Sequence, residues 1–290
     1  MKSVYVPFRI LSFMTLALWG LTSCQKTDKA PPKIDSNMEA VLVSATNAAL
    51  GANAEAADLD QEPEASCKVT TFKPSKDVYP HRKIVDFGDG CTGSDGITRS
   101  GRRVTTYFIN PDLAKEGDFV SETRYSNFTM DGNRVTGFIR IYAAAVGAHG
   151  IKTEKVVAYK RLTAPDGSVK SWNGIHFQKQ VWGYNTNDND DDIFEVTGHS
   201  EGNQKTPDGI AVRWVSKNSP LHPLIKSTSC SETVAGIKNV LLEFTAGGTG
   251  RFLETLDFGD GTCNNTARFS VNGGEPVEIT LPLYYWPTSR

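Results

Sequence analysis

Residues 119–145 read FVSETRYSNFTMDGNRVTGFIRIYAAA, two runs rich in β-branched and aromatic residues on either side of Asp131-Gly132. An Asp-Gly or Asn-Gly pair between two such runs is the strongest short-range signal of a β-hairpin. Asp166-Gly167 and Asn272-Gly273 stand between similar runs. These turns predict that neighbouring strands are antiparallel and follow one another in sequence.

The same β-rich texture extends from residue 66 almost to the C-terminus. It predicts one all-β domain over residues 67–290, a long antiparallel meander that forms either a curved sheet or a sandwich, preceded by one short N-terminal helix. The predicted strands cover residues 68–73, 82–87, 103–109, 119–130, 134–145, 155–163, 169–184, 193–200, 210–216, 238–244, 252–258, 267–271 and 277–283.

The N-terminus has the composition of a secretory signal. Lys2 and Arg9 are followed by the apolar residues 10–21, a run shorter than the roughly 20 residues of a membrane-spanning helix. Leu21-Thr22-Ser23-Cys24 then resembles a bacterial lipobox, in which the cysteine is acylated before cleavage. We predict a signal peptide at 1–23 and a lipid anchor on Cys24. The alternative is an ordinary signal peptide that ends in cysteine.

A tether with one short helix is predicted over residues 24–66. Ser36 and Glu39 fit a capping box, and apolar residues follow them at helical spacing, which predicts a helix near residues 37–50. This helix either serves a partner, packs on the β domain or lengthens the tether; packing or tethering is the preferred interpretation.

The cysteines that remain after Cys24 predict two disulfides, because exported proteins commonly carry an even number of bridged cysteines. Their spacing favours Cys67–Cys91 and Cys230–Cys263 over a cross-pairing. Cys91 and Cys263 each follow a copy of DFGDG, at residues 86–90 and 257–261. We interpret both copies as tight turns in which Asp89 and Asp260 bond the backbone; calcium chelation is the alternative.

The charge balance excludes a nucleic-acid partner. Without residues 1–23 the chain has 29 basic and 33 acidic residues, a net charge of −4 with histidine neutral. Nucleic-acid-binding domains typically carry clustered Lys and Arg in excess, and this balance gives no such footprint. Membrane contact is therefore expected through the lipid on Cys24, not through a basic surface.

One loop has the oxygen ligands that calcium prefers. Residues 187–192 read NDNDDD, which makes Asp188, Asp190, Asp191 and Asp192 candidate calcium ligands. The EF-hand pattern fails, however, because its glycine and glutamate positions hold Ile193 and His199. A solvated loop is the preferred interpretation, and no other cofactor is predicted.

The strand at residues 169–184 carries the clearest candidate binding surface. If its side chains alternate, Ile175, Phe177 and Val181 share a core face. Aromatic rings among amides are typical of sugar-binding faces, so the opposite face is a candidate glycan site. The alternatives are two tryptophans covered by a loop, or a bulge at Gly174 that breaks the pattern. The candidate residues are Trp172, His176, Gln178, Gln180, Trp182 and Tyr184.

The combination of lipobox, helical lead and two DFGDG-cysteine segments resembles a family of Bacteroidetes outer-membrane lipoproteins of uncharacterised function. The residues that carry the resemblance are 85–101, 193–198 and 256–264. The resemblance implies an outer-membrane or surface lipoprotein, and it implies no catalytic residue. The tail PLYYWPTSR, residues 282–290, departs from the family's pattern.

Three classes of function follow from these observations. The first is a non-catalytic envelope lipoprotein that binds a glycan or another ligand through the strand at 169–184. The second is a structural or assembly component of the outer membrane that binds a protein partner. The third is an enzyme that acts on polysaccharide, and the absence of motifs such as GxSxG and HExxH disfavours it only weakly.

Overall fold

We describe the protein from a computed structural model, which describes residues 41–49, 65–94, 96–146, 152–184, 186, 191–230 and 233–281. The chain divides into Met1–Lys33 and the compact unit Ile34–Arg290. Every strand and disulfide described below lies in the compact unit. The predicted signal peptide, Cys24 and the C-terminal tail lie outside the described residues.

The compact unit is built on one antiparallel sheet. Its strands are β1 (Val69–Lys73), β2 (His81–Asp86), β3 (Cys91–Thr92), β4 (Thr98–Tyr107), β5 (Phe119–Met130), β6 (Asn133–Val146), β7 (Lys152–Thr163), β8 (Val169–Trp182), β9 (Ile193–Lys205), β10 (Ala211–Asn218), β11 (Leu224–Ser227), β12 (Thr233–Ala246), β13 (Arg251–Asp260), β14 (Thr266–Val271) and β15 (Val277–Thr280). The order of pairing is β1-β2-β4-β5-β6-β7-β8-β9-β10-β12-β13-β14-β15, while β3 pairs with β4, and β11 pairs with β9 and β12. The all-β meander predicted from the sequence is therefore confirmed, as a single sheet.

The hairpin turns form where the Asp-Gly and Asn-Gly pairs predict them. Asp131 and Gly132 join β5 to β6 with φ angles of 46° and 77°, and Asn272 and Gly273 join β14 to β15 with 53° and 72°. Positive φ at two successive residues matches the twist of antiparallel strands. These turns lie at one end of the sheet, which we call the Gly132 end; the opposite end is the Trp182 end.

The first DFGDG copy is a turn, as the sequence predicts, because β2 ends at Asp86 and residues 87–90 follow it. The turn predicted for the second copy is wrong, because residues 257–260 are the last residues of β13 and pair irregularly with β12. In each copy the first aspartate accepts a hydrogen bond from the glycine two residues later: Gly88 N donates to Asp86 Oδ1, and Gly259 N to Asp257 Oδ1, both at 3.0 Å. The sequence predicted this backbone-bonding role for Asp89, but Asp86 has it; Asp260 does accept from Thr262 N, at 3.2 Å. The copies lie at opposite ends of the sheet, because β2 and β13 run in opposite directions.

Two local disulfides join the cysteines that follow the two DFGDG copies. Cys67 pairs with Cys91 and Cys230 pairs with Cys263, with Cα–Cα distances of 5.6 and 5.7 Å. This is the favoured pairing from the sequence, and the cross-pairing is wrong. Each bridge joins the chain just after a DFGDG copy to a segment that lies before a strand, since Cys67 precedes β1 and Cys230 precedes β12.

The N-terminal helix, α1, covers residues 41–49 of the described chain. Val41, Leu42 and Ala45 are buried in the same apolar cluster as Val240 and Leu256 of β12 and β13. We call the side of the sheet that contributes buried side chains the inner face. The helix therefore packs within the core of the β domain, as one of the sequence-based interpretations proposed, and belongs to the same compact unit.

Two polar contacts hold α1 against the inner face. Thr46 Oγ1 donates to Glu254 Oε2 of β13 at 2.7 Å, and Lys238 Nζ of β12 donates to the carbonyl of Ala49. A cation near the last carbonyls of a helix is favourable, because the helix dipole is negative there. Burial raises the pKa of Glu254 to about 7, against the hydrogen bond from Thr46, and burial lowers the pKa of Lys238 well below its usual range.

The buried Glu254 makes the stability of the compact unit depend on pH. Because its folded pKa of about 7 exceeds the unfolded value, its contribution is complete below the unfolded pKa and is lost as pH rises through 7. We expect this loss to approach about 3 kcal/mol between pH 4 and pH 8. Glu254→Gln should remove it, as measured by urea unfolding of both proteins across that range.

Glu243→Gln, on the opposite face of the adjacent strand β12, is the matched control and should retain the pH dependence of the unaltered protein. The buried Lys238 changes the free energy of unfolding in the opposite direction, because its pKa is lowered in the folded protein, which therefore loses stability as the pH falls. It is present in every variant and cancels in their comparison. Equal pH dependence in Glu254→Gln and the unaltered protein would contradict the assignment.

Candidate functional site

The structure reverses the two faces that the sequence assigned to β8. Trp172, His176 and Gln178 lie on the inner face and are 4%, 1% and 6% exposed, whereas Phe177 on the other face is 41% exposed. The prediction that Ile175, Phe177 and Val181 form the core face is therefore wrong. The prediction that Trp172, His176 and Gln178 form an accessible face is wrong as well.

The faces of β8 were assigned the wrong way round because the inner face of the sheet contains a band of polar residues. His176 of β8 lies in register with Gly198, Asn218 and Lys238 on the next three strands of the path. In the adjacent row Ser200 Oγ and Ser216 Oγ are hydrogen-bonded at 2.8 Å. Polarity therefore does not distinguish the outside of this sheet from its inside.

His176 is a packing residue in this band. A Cβ atom added to Gly174 would lie 2.8 Å from His176 Nε2, and one added to Gly198 would lie 3.1 Å from Nδ1. The imidazole thus occupies the space that these glycines leave. Burial lowers its pKa to about 3, helped by the charge of Lys238, so the ring is neutral at physiological pH.

A bulge at the end of β8 changes the direction of its last side chains. Gln180 pairs with Phe194, but Trp182 pairs with Ile193, so one extra residue lies on β8 at this point. Trp182 is 63% exposed as a result. Bulges re-aim side chains in this way next to functional sites. The alternative bulge at Gly174 is wrong, because β8 and β9 pair regularly there.

Fixed polar groups lie beside the exposed tryptophan. Gln180 Nε2 donates to Asp192 Oδ1 at 2.7 Å, and Thr186 Oγ1 donates to Asp191 Oδ1 at 2.8 Å. Both carboxylates approach Gly183, where an added Cβ atom would collide with them. Gly183 also has a φ of 82°, which favours glycine.

We call this group the Trp182 site. It combines two candidates that were considered separately from the sequence, the aromatic end of β8 and the aspartate loop before β9. The hydrogen bond between Gln180 and Asp192 connects them. The residues of the site are Gln180, Trp182, Asp191 and Asp192; Tyr184, a sequence candidate, is half-buried and follows Gly183 in the chain.

A calcium site in the aspartate loop stays a prediction. Asp188 and Asp190 lie outside the described residues. Within the described part of the chain, no group of three or more histidine, cysteine, aspartate or glutamate side chains is arranged to hold a metal ion. Asp191 and Asp192 each use one carboxylate oxygen to accept a hydrogen bond from a neighbouring side chain.

A second aromatic group, on the outer side of the sheet, was not predicted. The rings of Phe108, Phe119 and Tyr142 stack in a row, with centroids 4.6 and 5.0 Å apart and planes inclined by 28°. Phe119, in the middle of the row, has a ring on each side, and Phe108 at one end is 38% exposed. Cross-strand pairs of this kind stabilise a sheet.

Comparison with known proteins gives no assignment: no family model, no curated protein and no solved structure matches this chain. Among the described residues, no helix combines the length and the hydropathy that a membrane span requires. The function must therefore be argued from the chemistry of the Trp182 site.

Proposed function

We propose that the protein is an exported, lipid-anchored envelope protein that binds a glycan at the Trp182 site without catalysing a reaction. The observation that supports this most is the 63% exposure of Trp182 directly beside the carboxylates fixed at Gly183. An indole face stacks on the apolar face of a sugar ring, and carboxylate and amide groups bond its hydroxyls. The Trp182 site offers both kinds of contact on one surface.

The proposed anchor is a lipid on Cys24, with the outer membrane as the proposed location. The lipobox-like Leu21–Cys24 segment and the resemblance to Bacteroidetes lipoproteins support it. The two disulfides are compatible with an exported protein, because such bonds form and persist in oxidising compartments.

A binding role is favoured over hydrolysis by the way the carboxylates are held. Glycoside hydrolases place two carboxyl groups on either side of the scissile bond, roughly 5 to 9.5 Å apart. Asp191 and Asp192 instead both approach one backbone position, Gly183, and accept hydrogen bonds from Thr186 and Gln180. Such groups are positioned to accept hydrogen bonds from a ligand.

Replacing Trp182 with alanine should weaken glycan binding by about 30-fold, because a stacked aromatic at the centre of a site commonly contributes about 2 kcal/mol. The measurement is thermal unfolding of the compact unit Ile34–Arg290 against a panel of polysaccharides, with calcium or with chelator. A ligand that binds only the folded protein raises the midpoint. We expect one glycan to raise it, and Trp182→Ala to remove most of that rise.

Phe177→Ala is the matched control, because Phe177 is an exposed aromatic on the same strand but outside the Trp182 site. It should leave the rise unchanged. Equal losses in both variants, or no rise with any polysaccharide, would contradict glycan binding at Trp182. A rise with calcium alone would instead support the metal site predicted for the aspartate loop.

A further inference from the structure

The first and last strands of the described sheet, β1 and β15, each have one edge that no other strand of the described chain pairs with. Along the described path, β1 pairs only with β2 and β15 pairs only with β14. The outer edge of each strand therefore presents backbone N–H and C=O groups that no neighbouring strand in the described chain bonds. All five residues of β1 are exposed, as are Val277, Glu278 and Thr280 of β15. Exposed edges of this kind are templates for pairing with another chain.

The two edges carry opposite charges. Residues 68–73 read KVTTFK and contain two lysines and no acidic residue. Residues 275–280 read EPVEIT and contain two glutamates and no basic residue. Apolar side chains accompany both edges, since Val69 is 58%, Phe72 37% and Val277 57% exposed.

We propose that β15 of one copy pairs with β1 of a second copy, so that the sheet continues from one molecule to the next. Backbone hydrogen bonds would satisfy both edges, Lys68 and Lys73 would lie near Glu275 and Glu278, and the exposed valines and Phe72 would be covered. The contact is heterologous, because it joins different surfaces of the two copies, and each added copy presents a fresh edge.

The direction of the strands fits copies that stand side by side. The register of the sheet makes β1 and β15 run the same way, from the Gly132 end to the Trp182 end. Copies in the same orientation therefore meet as parallel strands. That arrangement suits molecules anchored on one membrane; this point alone rests on the proposed lipid anchor. Strands of four and five residues bury less than a standard interface of about 1,600 Å², so we expect weak, concentration-dependent association.

Sedimentation velocity of the compact unit at rising concentration tests the association directly. We expect the sedimentation coefficient to increase with concentration, and Lys73→Glu or Glu278→Lys alone to lower the association constant by about 3- to 10-fold. The double variant, in which every copy carries both changes, should recover association, because each contact again has opposite charges. Lys217→Glu, an exposed change on β10 away from both edges, is the control and should have no effect.

A carbodiimide cross-link between Lys73 and Glu278 distinguishes a second copy from closure of one chain upon itself. In a mixture of isotopically light and heavy protein, pairing between copies gives cross-linked peptides that combine both isotopes. Cross-links confined to one isotope would show that β15 reaches β1 of its own chain and would overturn the proposal. A monomer at every soluble concentration, or a double variant as weak as the single ones, would also overturn it.

Discussion

Replacing Gly202 with alanine is expected to lower the free energy of unfolding by about 3 kcal/mol, at the upper end of the range for overpacked cores. Gly202 of β9 lies in register between Trp172 of β8 and Trp214 of β10. A Cβ atom added there would collide with the Trp214 ring and lie 2.6 Å from the carbonyl oxygen of Ser171. Trp214 is 1% exposed, so its ring has no open space into which it can move.

The measurement is urea unfolding of Gly202→Ala beside Gly90→Ala. Gly90 has open surroundings, since an added Cβ atom would lie 3.9 Å from Thr98 Cγ2. Neither glycine has a positive φ, so the two changes differ in steric cost and not in backbone strain. Gly90→Ala should change stability by less than about 1 kcal/mol. Equal unfolding midpoints for the two variants would contradict the close packing of Trp214 on Gly202.

A second change separates this contact from a general weakening of β9. Trp214→Phe removes the part of the ring nearest Gly202 and is itself destabilising, because it leaves a cavity. Residues in contact show non-additive effects. We therefore expect the double variant to be more stable than the sum of the two single losses predicts.

Removing both disulfides should have the largest effect of all, a loss of about 7 kcal/mol. The bridges close segments with sequence separations of 24 and 33 residues. The chain-entropy model assigns about 3.5 kcal/mol to each loop of this size. The combined loss is comparable to the whole stability of a typical domain, about 5 to 15 kcal/mol.

The test compares urea unfolding of the compact unit with and without reductant. Cys67→Ala/Cys91→Ala and Cys230→Ala/Cys263→Ala should each show about half of the loss. The first pair should lose more, because Cys91 is also 2% exposed within the core. A variant with all four cysteines replaced is the control, since reductant should not change it. An unfolding midpoint that reductant leaves unchanged would contradict a stabilising role for the bridges.

The sequence predicted the order and direction of the strands because that information is local. Asp131-Gly132 and Asn272-Gly273 determine their own turns, whatever lies around them. The bridges were predictable for a similar reason, since each joins cysteines close in sequence. The two strands that were missed, β3 and β11, have two and four residues. Two or four residues are too few for an alternating pattern; β15 is equally short but was predicted as part of the longer run at residues 277–283.

The faces of β8 could not be predicted in the same way. Alternation correctly groups Trp172, His176 and Gln178, but it does not say which group is inside. That choice usually follows polarity, and here the partners of His176 on the inner face are a glycine, an asparagine and a lysine. The Trp182 site required a bulge between Gln180 and Trp182, and a contact across the loop to Asp192. Neither has a sequence signature.

The position of α1 has a consequence for the order in which the parts of the chain fold. Thr46 meets Glu254, which lies 208 residues later in the chain, and Ala49 meets Lys238, which lies 189 residues later. α1 therefore stays unburied until β12 and β13 are in place. Hairpins such as β5–β6 involve only residues close in sequence and can form earlier. The packing of α1 against β12 and β13 is therefore a late step in completing the core.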